Sequence, residues 1–378
     1  MTPASNPTIP LTESMLPPLE RFVEELKDIW DSSRLTNAGP KLMRFEKLLK
    51  EKLGVDELLA FVNGGSALLA GVKALGIEGD VVTTPFTFAA STHVLALNGL
   101  RPVFCDVDDE SMNISPAAIE RAITPQTSAI LGVHVFGTPC AVDEIDEIAR
   151  RRGLKVIYDG AHAFGATVGR RNIAEFGDVQ MFSFNATKLL TTGEGGCVVF
   201  RDPSLAPVLQ RLRRWGMLDE GDVTMPGWNG MMTEMQAALG LCNLEFLDEE
   251  RAARAQVVSH YLERLSTVPG IRLMAPATES TPALSYFVIR VDAARFGHDR
   301  DTLLAWLRDR GILARRYFYP LTSQFPCYAG APGAGEGGFP VAARIVREIL
   351  ALPFYGRLGS EGTDRVCDAI EALHRRSN

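Results

Sequence analysis

The sequence predicts an α/β protein, with a large domain on a mostly parallel sheet covered by helices and a smaller α+β domain after it. Three observations carry this. From residue 58 onward, short apolar or β-branched runs alternate with helical stretches, the rhythm of βαβ units. Near residue 233 a long helical pattern begins and stops only at Pro269-Gly270. Beyond it the alternation gives way to isolated strand and helix signals. The length of 378 residues, with 46% hydrophobic and 22% charged, fits one large and one smaller domain.

The elements follow in order. Residues 1–18, rich in Pro, Ser and Thr, read as an extended arm. "ERFVEELKDIW" carries apolar residues at helical spacing, "SSRLTNAGP" breaks the pattern, and "KLMRFEKLLKEKLGV" resumes it. Then come "LLAFV" before the helical "SALLAGVKALGI", "DVVTTP" before "TFAASTHVLALNG", "RPVFCDV" before "SPAAIERAI", and "SAILGVHVF" before "AVDEIDEIARRRG". The strand signals "KVIYD", "VQMFSF" and "GCVVFR" follow. Such near-continuous apolar runs suit strands buried on both faces. "TEMQ", Thr233 to Gln236, fits a capping box at the start of the long helix. After it, "ALSYFVIRV" reads as a strand, "RDTLLAWLRDRG" as a helix, and "GAPGAGEGG" (330–338) as a flexible loop. The domain division is placed at 1–240 and 241–378.

Several function classes are excluded. The formal charge of −7 and scattered Lys and Arg leave no basic patch for nucleic acid. Arg150-Arg151-Arg152 reads as the polar end of a helix. Apolar stretches fall short of the ~20 residues a membrane helix needs. Six cysteines, at 105, 140, 197, 242, 327 and 367, form no CxxC pair and read as reduced thiols. The N-terminal residues lack the basic and apolar regions of a secretory signal. The expectation is a cytoplasmic protein with no membrane span. The histidines at 93, 134, 260, 298 and 374 show no metal-ligand spacing and read as structural or surface residues, so no metal site is expected.

Ligands of open parallel sheets sit beyond the carboxyl ends of the strands. Three reactive segments fall there. "FVNGGSALLAG" ends a strand, turns on Gly-Gly-Ser and opens a helix whose free amides could hold a phosphate; it could equally be a capped turn. "KVIYDGAHAFGA" places Asp159 at a strand end and His162 in the next turn, where a cap and a structural histidine are the ordinary readings. "FSFNATKLLTTGEGG" delivers Lys188 just past a buried strand, where a solvated loop lysine is the ordinary reading. Together, a phosphate cradle, a carboxylate and a lysine are the parts pyridoxal phosphate needs: a lysine for the Schiff base and a carboxylate for the pyridinium nitrogen. Phe88, in "TTPFTFAAST", offers an aromatic face at another strand end.

With these segments the chain resembles the DegT/DnrJ/EryC1/StrS family of pyridoxal-phosphate-dependent sugar aminotransferases, within the aspartate-aminotransferase-like fold type I. The resemblance runs over almost the whole chain. It includes "LTNAGPKLMRFEKLL", "VNGGSALLAG", "TPFTFAAST", "YDGAHAFGA", "FSFNATKLLTTGEGG", "GWNGMMTEMQAALGL" and "RRYFYPLTSQFPCY". It implies a large domain on a seven-stranded, mostly parallel sheet and a smaller C-terminal domain.

The resemblance also implies roles. Lys188 would bond to the cofactor aldehyde and shuttle protons, and Asp159 would pair with the pyridine nitrogen. His162 would lie near the ring and Phe88 would stack on it. Gly65, Ser66 and Ser183 would hold the phosphate, and Asn229 would reach into a neighbouring subunit's site, so a homodimer is implied. Many members have Thr where this chain has Gly65, and many have His where it has Asn185, a position on the sugar side. Tyr317, Phe318 and Tyr319 could touch the sugar or could be packing.

The reaction implied moves an amino group from L-glutamate, through pyridoxamine phosphate, to a nucleotide-linked keto sugar. The "YFYP" stretch resembles members that aminate C4 of a dTDP-4-keto-6-deoxyhexose, giving a dTDP-4-amino-4,6-dideoxyhexose. The alternatives are a C3-specific or cyclitol aminotransferase, and a sugar deoxygenase, which the presence of Lys188 argues against.

Overall fold

The computed structural model describes residues 7–274, 280–333 and 337–376. Helices α1 (Leu19–Ser32) and α2 (Pro40–Leu53) form as the spacing predicts. Pro40 opens α2 with its ring pre-set for the first turn, and Gly54 closes it at φ 68°, a left-handed cap that glycine adopts without strain. The buried Glu25 of α1 holds Lys41 (2.7 Å) and Arg44 (2.9 Å), tying the two helices together.

The alternation then unfolds as β1 (Leu58–Phe61), α3 (Gly64–Ala74), β2 (Asp80–Thr83), α4 (Ala89–Leu97), β3 (Arg101–Phe104), α5 (Pro116–Ala122), β4 (Thr127–Val133), α6 (Val142–Arg152) and β5 (Lys155–Asp159). A short hairpin, β6 (Thr167–Val168) and β7 (Arg171–Asn172), precedes β8 (Val179–Ser183) and β9 (Gly196–Phe200), and α7 (Ala206–Leu212) follows. The seven long strands form one sheet in the order β1-β9-β8-β5-β4-β2-β3. Every pair in it is parallel except the two that β9 makes. One face packs on α2, α5, α6 and the next long helix, and the other on α3, α4 and α7. Burial on both sides is why these strands read as continuous apolar runs rather than alternating ones. The fit is close: a Cβ on Gly71 of α3 would stand 2.6 Å from Val179 Cγ1 of β8.

Helix α8 (Glu234–Leu265) begins with the predicted capping box: Gln236 N donates to Thr233 Oγ1 (3.3 Å), and Thr233 N donates to Gln236 Oε1 (2.9 Å). Gln236 Nε2 also donates to the carbonyls of Val62 and Glu194, joining the helix start to two loops at the strand ends. Buried Glu234 accepts from the amides of Lys41 and Leu42, capping α2. The first half of α8 packs on the large sheet through Ala237, Leu241 and Leu247; the second half, through Val257, Tyr261 and Leu265, enters a separate core. The division read at 240/241 therefore falls inside one continuous helix.

After α8 come β10 (Ile271–Leu273), β11 (Ser280–Thr281), β12 (Phe287–Val291), α9 (Ala293–Phe296), α10 (Arg300–Arg308), α11 (Pro340–Glu348), β13 (Ile349–Leu352) and α12 (Gly359–His374), of which β10, β12, α9, α10, β13 and α12 build that separate core. Strands β10-β12-β13 make an antiparallel sheet, while β11 joins the β6-β7 hairpin. The strand predicted over 283–291 starts only at 287. Its first four residues bond elsewhere: Ala283 N donates to Gly137 O, and Ser285 Oγ donates to His162 O, both in loops of the large sheet. The loop read as flexible at 330–338 is anchored at its start, where Phe104 N donates to Pro332 O (3.2 Å); residues 334–336 lie outside the described residues. Of the predicted arm, residues 1–6 also lie outside. The remainder is bonded to both parts of the chain: Ile9 pairs with Gly311 and Leu313, after α10, and Ser14 Oγ donates to Ala186 O (2.6 Å). All six cysteines are free thiols. Among the described residues no helix is long and apolar enough to cross a membrane.

Arg213, 2% exposed, pins β1 from below: its Nη1 donates to Ala60 O (2.6 Å) and Glu46 Oε1 (2.7 Å), and that oxygen also takes the Ala60 amide. Removing a partner from a buried ion pair costs about 3–5 kcal/mol. We expect Arg213→Met to lower the denaturant midpoint, measured at fixed protein concentration, and Arg213→Met with Glu46→Gln to recover part of the loss. An unchanged midpoint in the single variant would show that the pair does not hold β1.

Candidate functional site

A cavity of about 480 Å³ opens beyond the carboxyl ends of β2, β4, β5 and β8. Its floor is the start of α3 (Asn63, Gly64, Gly65), the start of α4 (Thr87, Phe88, Ala90) and the ends of β5 and β8. Its outer wall comes from the C-terminal part of the chain: Tyr286, Arg315, Tyr317 and Phe318. A larger cavity, about 600 Å³, lies away from these strand ends around Asp109. There Arg272, Arg290 and Arg344 converge on one carboxylate. Burial pushes the Asp109 pKa up, but the guanidiniums outweigh it and hold it down at about 2. Its described lining residues include no lysine, histidine or cysteine.

Asp159 closes β5, and its side chain is 5% exposed. Oδ2 accepts from Ser91 Oγ (2.6 Å) and Oδ1 from the Ala161 amide (3.0 Å). Ser91 Oγ also lies 2.7 Å from Thr87 Oγ1, in the first turn of α4. Burial raises the Asp159 pKa; the two hydrogen bonds and the charge of Lys188 pull it back. A cationic partner in the cavity would favour the carboxylate form further.

Lys188 stands five residues past β8, in a turn where its amide donates to Asn185 O (2.9 Å). Its Nζ reaches into the cavity, 3.5 Å from Tyr286 Oη. Burial lowers its pKa from 10.5 to about 8, against the opposing pull of Asp159 and Tyr317. The amine is thus far easier to deprotonate than an exposed lysine, as a nucleophile or base requires.

His162 is 8% exposed and lies nearly parallel to the rings of Phe136 and Phe318. Burial, and then the charge of Lys188, push its pKa well below the usual value, so the imidazole is neutral. Its Nδ1 has no hydrogen-bond partner, an unsatisfied polar atom at the cavity wall. Phe136, its ring centre 6.3 Å from that of His162 and 5.5 Å from that of Phe318, has a left-handed backbone, φ 55°, that a bulky residue rarely adopts.

The α3 end is built for an anion. Its first intrahelical bond is Ala67 N to Asn63 O, and Asn63 Oδ1 caps the Ser66 amide (2.8 Å). The amides of Gly64 and Gly65 precede that ladder. A Cβ on Gly64 would meet Ser183 Cβ at 2.9 Å, so glycine lets the serine of β8 lie against the helix start. At Gly65 a Cβ would meet only Asn63 Oδ1, at 3.5 Å; space does not force a glycine there. Asn185 Nδ2 donates to Glu194 Oε1 (2.7 Å), fixing two polar groups on the cavity rim.

The cavity therefore gathers Gly65, Phe88, Asp159, His162, Ser183, Asn185, Lys188, Tyr317 and Phe318 of the residues the sequence singled out. Three expected residues lie outside its lining. The Ser66 amide is taken by Asn63. Asn229 is exposed and bridges to Arg214. Tyr319 is 56% exposed beneath the Arg316 guanidinium. Residues not foreseen are Ser91, Tyr286 and Arg315, and His134, read only as structural, also lines the wall. Burial holds the His134 imidazole neutral, with its pKa down at about 3, and its Nδ1 accepts from the Cys140 amide.

The cavity fits pyridoxal phosphate on its own chemistry: a deprotonatable amine, a buried carboxylate held from behind, an unpartnered imidazole nitrogen, and free helix amides beside a serine. The sequence model of the DegT/DnrJ/EryC1/StrS aminotransferase family matches residues 19–371. The chain is 39% identical over 363 residues to the dTDP-4-amino-4,6-dideoxy-D-glucose transaminase of Shigella dysenteriae, covering 96% of this chain and 98% of that one. It is 40% identical over 355 residues to the protein of the same name from Escherichia coli, covering 94% and 95%. Among solved structures it is similar to DesI, crystallised in the presence of its TDP-sugar product, with TM-score 0.92, 32% identity and 99% and 95% coverage. It is also similar to NtdA of Bacillus subtilis, solved with bound cofactor PMP, with TM-score 0.85, 25% identity and 94% and 82% coverage.

The lowered pKa of Lys188 has a direct readout. In cofactor-free protein, trapping of a small aldehyde by borohydride, mapped by peptide mass spectrometry, should rise at Lys188 with a midpoint near pH 8, because the neutral amine dominates above it. A midpoint near the 10.5 of an exposed lysine would contradict the buried geometry.

Proposed function

Because the chain belongs to the DegT/DnrJ/EryC1/StrS aminotransferase family, we propose that its cavity moves an amino group from L-glutamate to C4 of a dTDP-linked 4-keto-6-deoxyhexose, giving a dTDP-4-amino-4,6-dideoxyhexose. The chain is a sugar aminotransferase dependent on pyridoxal phosphate. The observation that carries the reaction is one cavity holding both the Lys188 amine, with its pKa near 8, and the buried Asp159 carboxylate. The choice of C4 and of a dTDP sugar rests on the two relatives near 40% identity, both dTDP-4-amino-4,6-dideoxy-D-glucose transaminases, together with the "RRYFYP" segment.

When bound, the cofactor supplies an aldehyde that accepts the amino group and a ring that draws electrons from the reacting carbon. The rest is the work of this chain's side chains. Lys188, once displaced by the incoming donor, takes the proton from the donor's α-carbon; its low basicity keeps it able to give that proton up again. Asp159 would pair with the ring nitrogen as a carboxylate, with Ser91 and Ala161 fixing both oxygens so that it need not reorganise. His162, neutral and stacked, would have its unpartnered Nδ1 free for the cofactor. The Gly64 and Gly65 amides and Ser183 would hold the phosphate, and Phe88, at the start of α4, would cover the ring face. Asn185, Tyr317 and Phe318 face the sugar. The aromatic wall keeps water from the reacting carbon.

A homodimer completes this reading, with Asn229 reaching the partner subunit's cavity. It is supported by the exposure of Asn229 outside its own cavity and by the apolar stripe that α1 leaves in solvent, where Leu19 and Trp30 are each more than two-thirds exposed.

Two measurements test the proposal. Adding L-glutamate to the cofactor-loaded enzyme should bleach the visible band and raise a near-ultraviolet one, and a dTDP-4-keto-6-deoxyhexose should restore the first. If glutamate acts but the sugar does not, the substrate is wrong; if neither acts, the reaction is. Lys188→Ala should keep the circular dichroism of the parent and lose turnover by at least about 100-fold, and a variant with full turnover would end the assignment.

A further inference from the structure

Both proposed substrates present two negative charges: glutamate on its two carboxylates and the nucleotide sugar on its diphosphate. The charged groups lining the cavity are few. Asp159 and Glu194 are acidic, Lys188 must give up its charge to act, and the histidines are neutral. Arg315 is the one guanidinium among the described lining residues. It has no ion pair with a carboxylate among them, unlike its neighbour Arg316, which lies 3.5 Å from Asp301 and over Tyr319. Both arginines are exposed, but only Arg315 lines the cavity, and no described carboxylate pairs with it.

The backbone of Arg315 is fixed. Its N–H donates to Ala351 O (3.0 Å), and the Ala351 N–H donates back to Arg315 O (2.8 Å), so β13 sets where the side chain starts. The guanidinium carbon lies 5.2 Å from the centre of the Tyr317 ring. Tyr317 meets Tyr286 edge to face at 5.5 Å, and Lys188 Nζ stands over Tyr286. Arg315 and Lys188 therefore flank one pair of tyrosines.

We propose that Arg315 binds the α-carboxylate of the amino donor, on the aminotransferase reading above. That carboxylate is bonded to the very carbon whose proton Lys188 takes, so its anchor must stand close to the lysine. The diphosphate of a nucleotide sugar sits across the hexose from C4 and needs a more distant anchor. A guanidinium fork suits a carboxylate, which it can hold through two parallel hydrogen bonds. The same group would release 2-oxoglutarate and leave the cavity open to the sugar.

The test separates the half-reactions on the full-length, cofactor-loaded enzyme. For Arg315→Gln, the glutamate concentration giving half-maximal conversion of the cofactor to its amine form should rise about 10- to 100-fold, the loss expected for one charged hydrogen-bonded contact. The limiting rate should move less, and Arg315→Lys should fall between. Binding of dTDP by calorimetry should be unchanged. In the wild-type protein, phenylglyoxal labelling of Arg315 should slow with 2-oxoglutarate present and not with dTDP, a readout that needs no variant. Unchanged glutamate saturation, or a loss confined to dTDP and the sugar half-reaction, would overturn the proposal and give Arg315 to the diphosphate. A wild-type enzyme converted by no α-amino acid would overturn the donor half of the functional reading, and this inference with it.

Discussion

Everything at this site depends on keeping a carboxylate and an amine together in a place water hardly reaches. Asp159 and Lys188 stand at the ends of neighbouring strands, where a parallel sheet gathers its carboxyl termini. Burial works on both in opposite senses, raising the acid and lowering the base, and their attraction only partly restores them. Such a pair is costly to the fold and useful to the chemistry. Ser91 and the Ala161 amide hold the carboxylate from behind, and so spare it the cost of an unsatisfied buried charge.

The small sheet finishes what the large one starts. Four residues that continue the β12 sequence pattern leave the strand and bond to the loops after β4 and β5, and this brings Tyr286 beside Lys188. β13, by pairing with Arg315, carries a second wall residue to the same opening. Helix α8 links the two parts: its cap grips the strand-end loops, and its far half builds the second core. The site is therefore a product of both sheets.

Much of this was legible in the sequence. The alternation of apolar runs and helical stretches marked the seven strands, because strands buried on both faces have no polar alternation to disguise them. "TEMQ" marked the start of α8, since capping is a local matter of residues three apart. Lys188 and Asp159 were legible because each follows from where a strand ends, whereas Ser183 came only with the family resemblance. What was not legible depends on tertiary contact. Ser91 is an unremarkable helix serine until Asp159 is folded against it. Tyr286 looked like part of a strand, and only its neighbours' bonds to distant loops take it out. Tyr317 and Tyr319, two residues apart, looked equivalent; the first faces the cavity, and the second lies under Arg316 at the surface.

The central claim is a directed transfer of nitrogen from an amino acid to one carbon of a nucleotide sugar. It is tested most directly by incubating the enzyme with ¹⁵N-labelled L-glutamate and a dTDP-4-keto-6-deoxyhexose, and locating the label by NMR. The account predicts ¹⁵N bonded to C4 of the hexose and an equal amount of 2-oxoglutarate. Label at C3, or a sugar product without nitrogen, would contradict it.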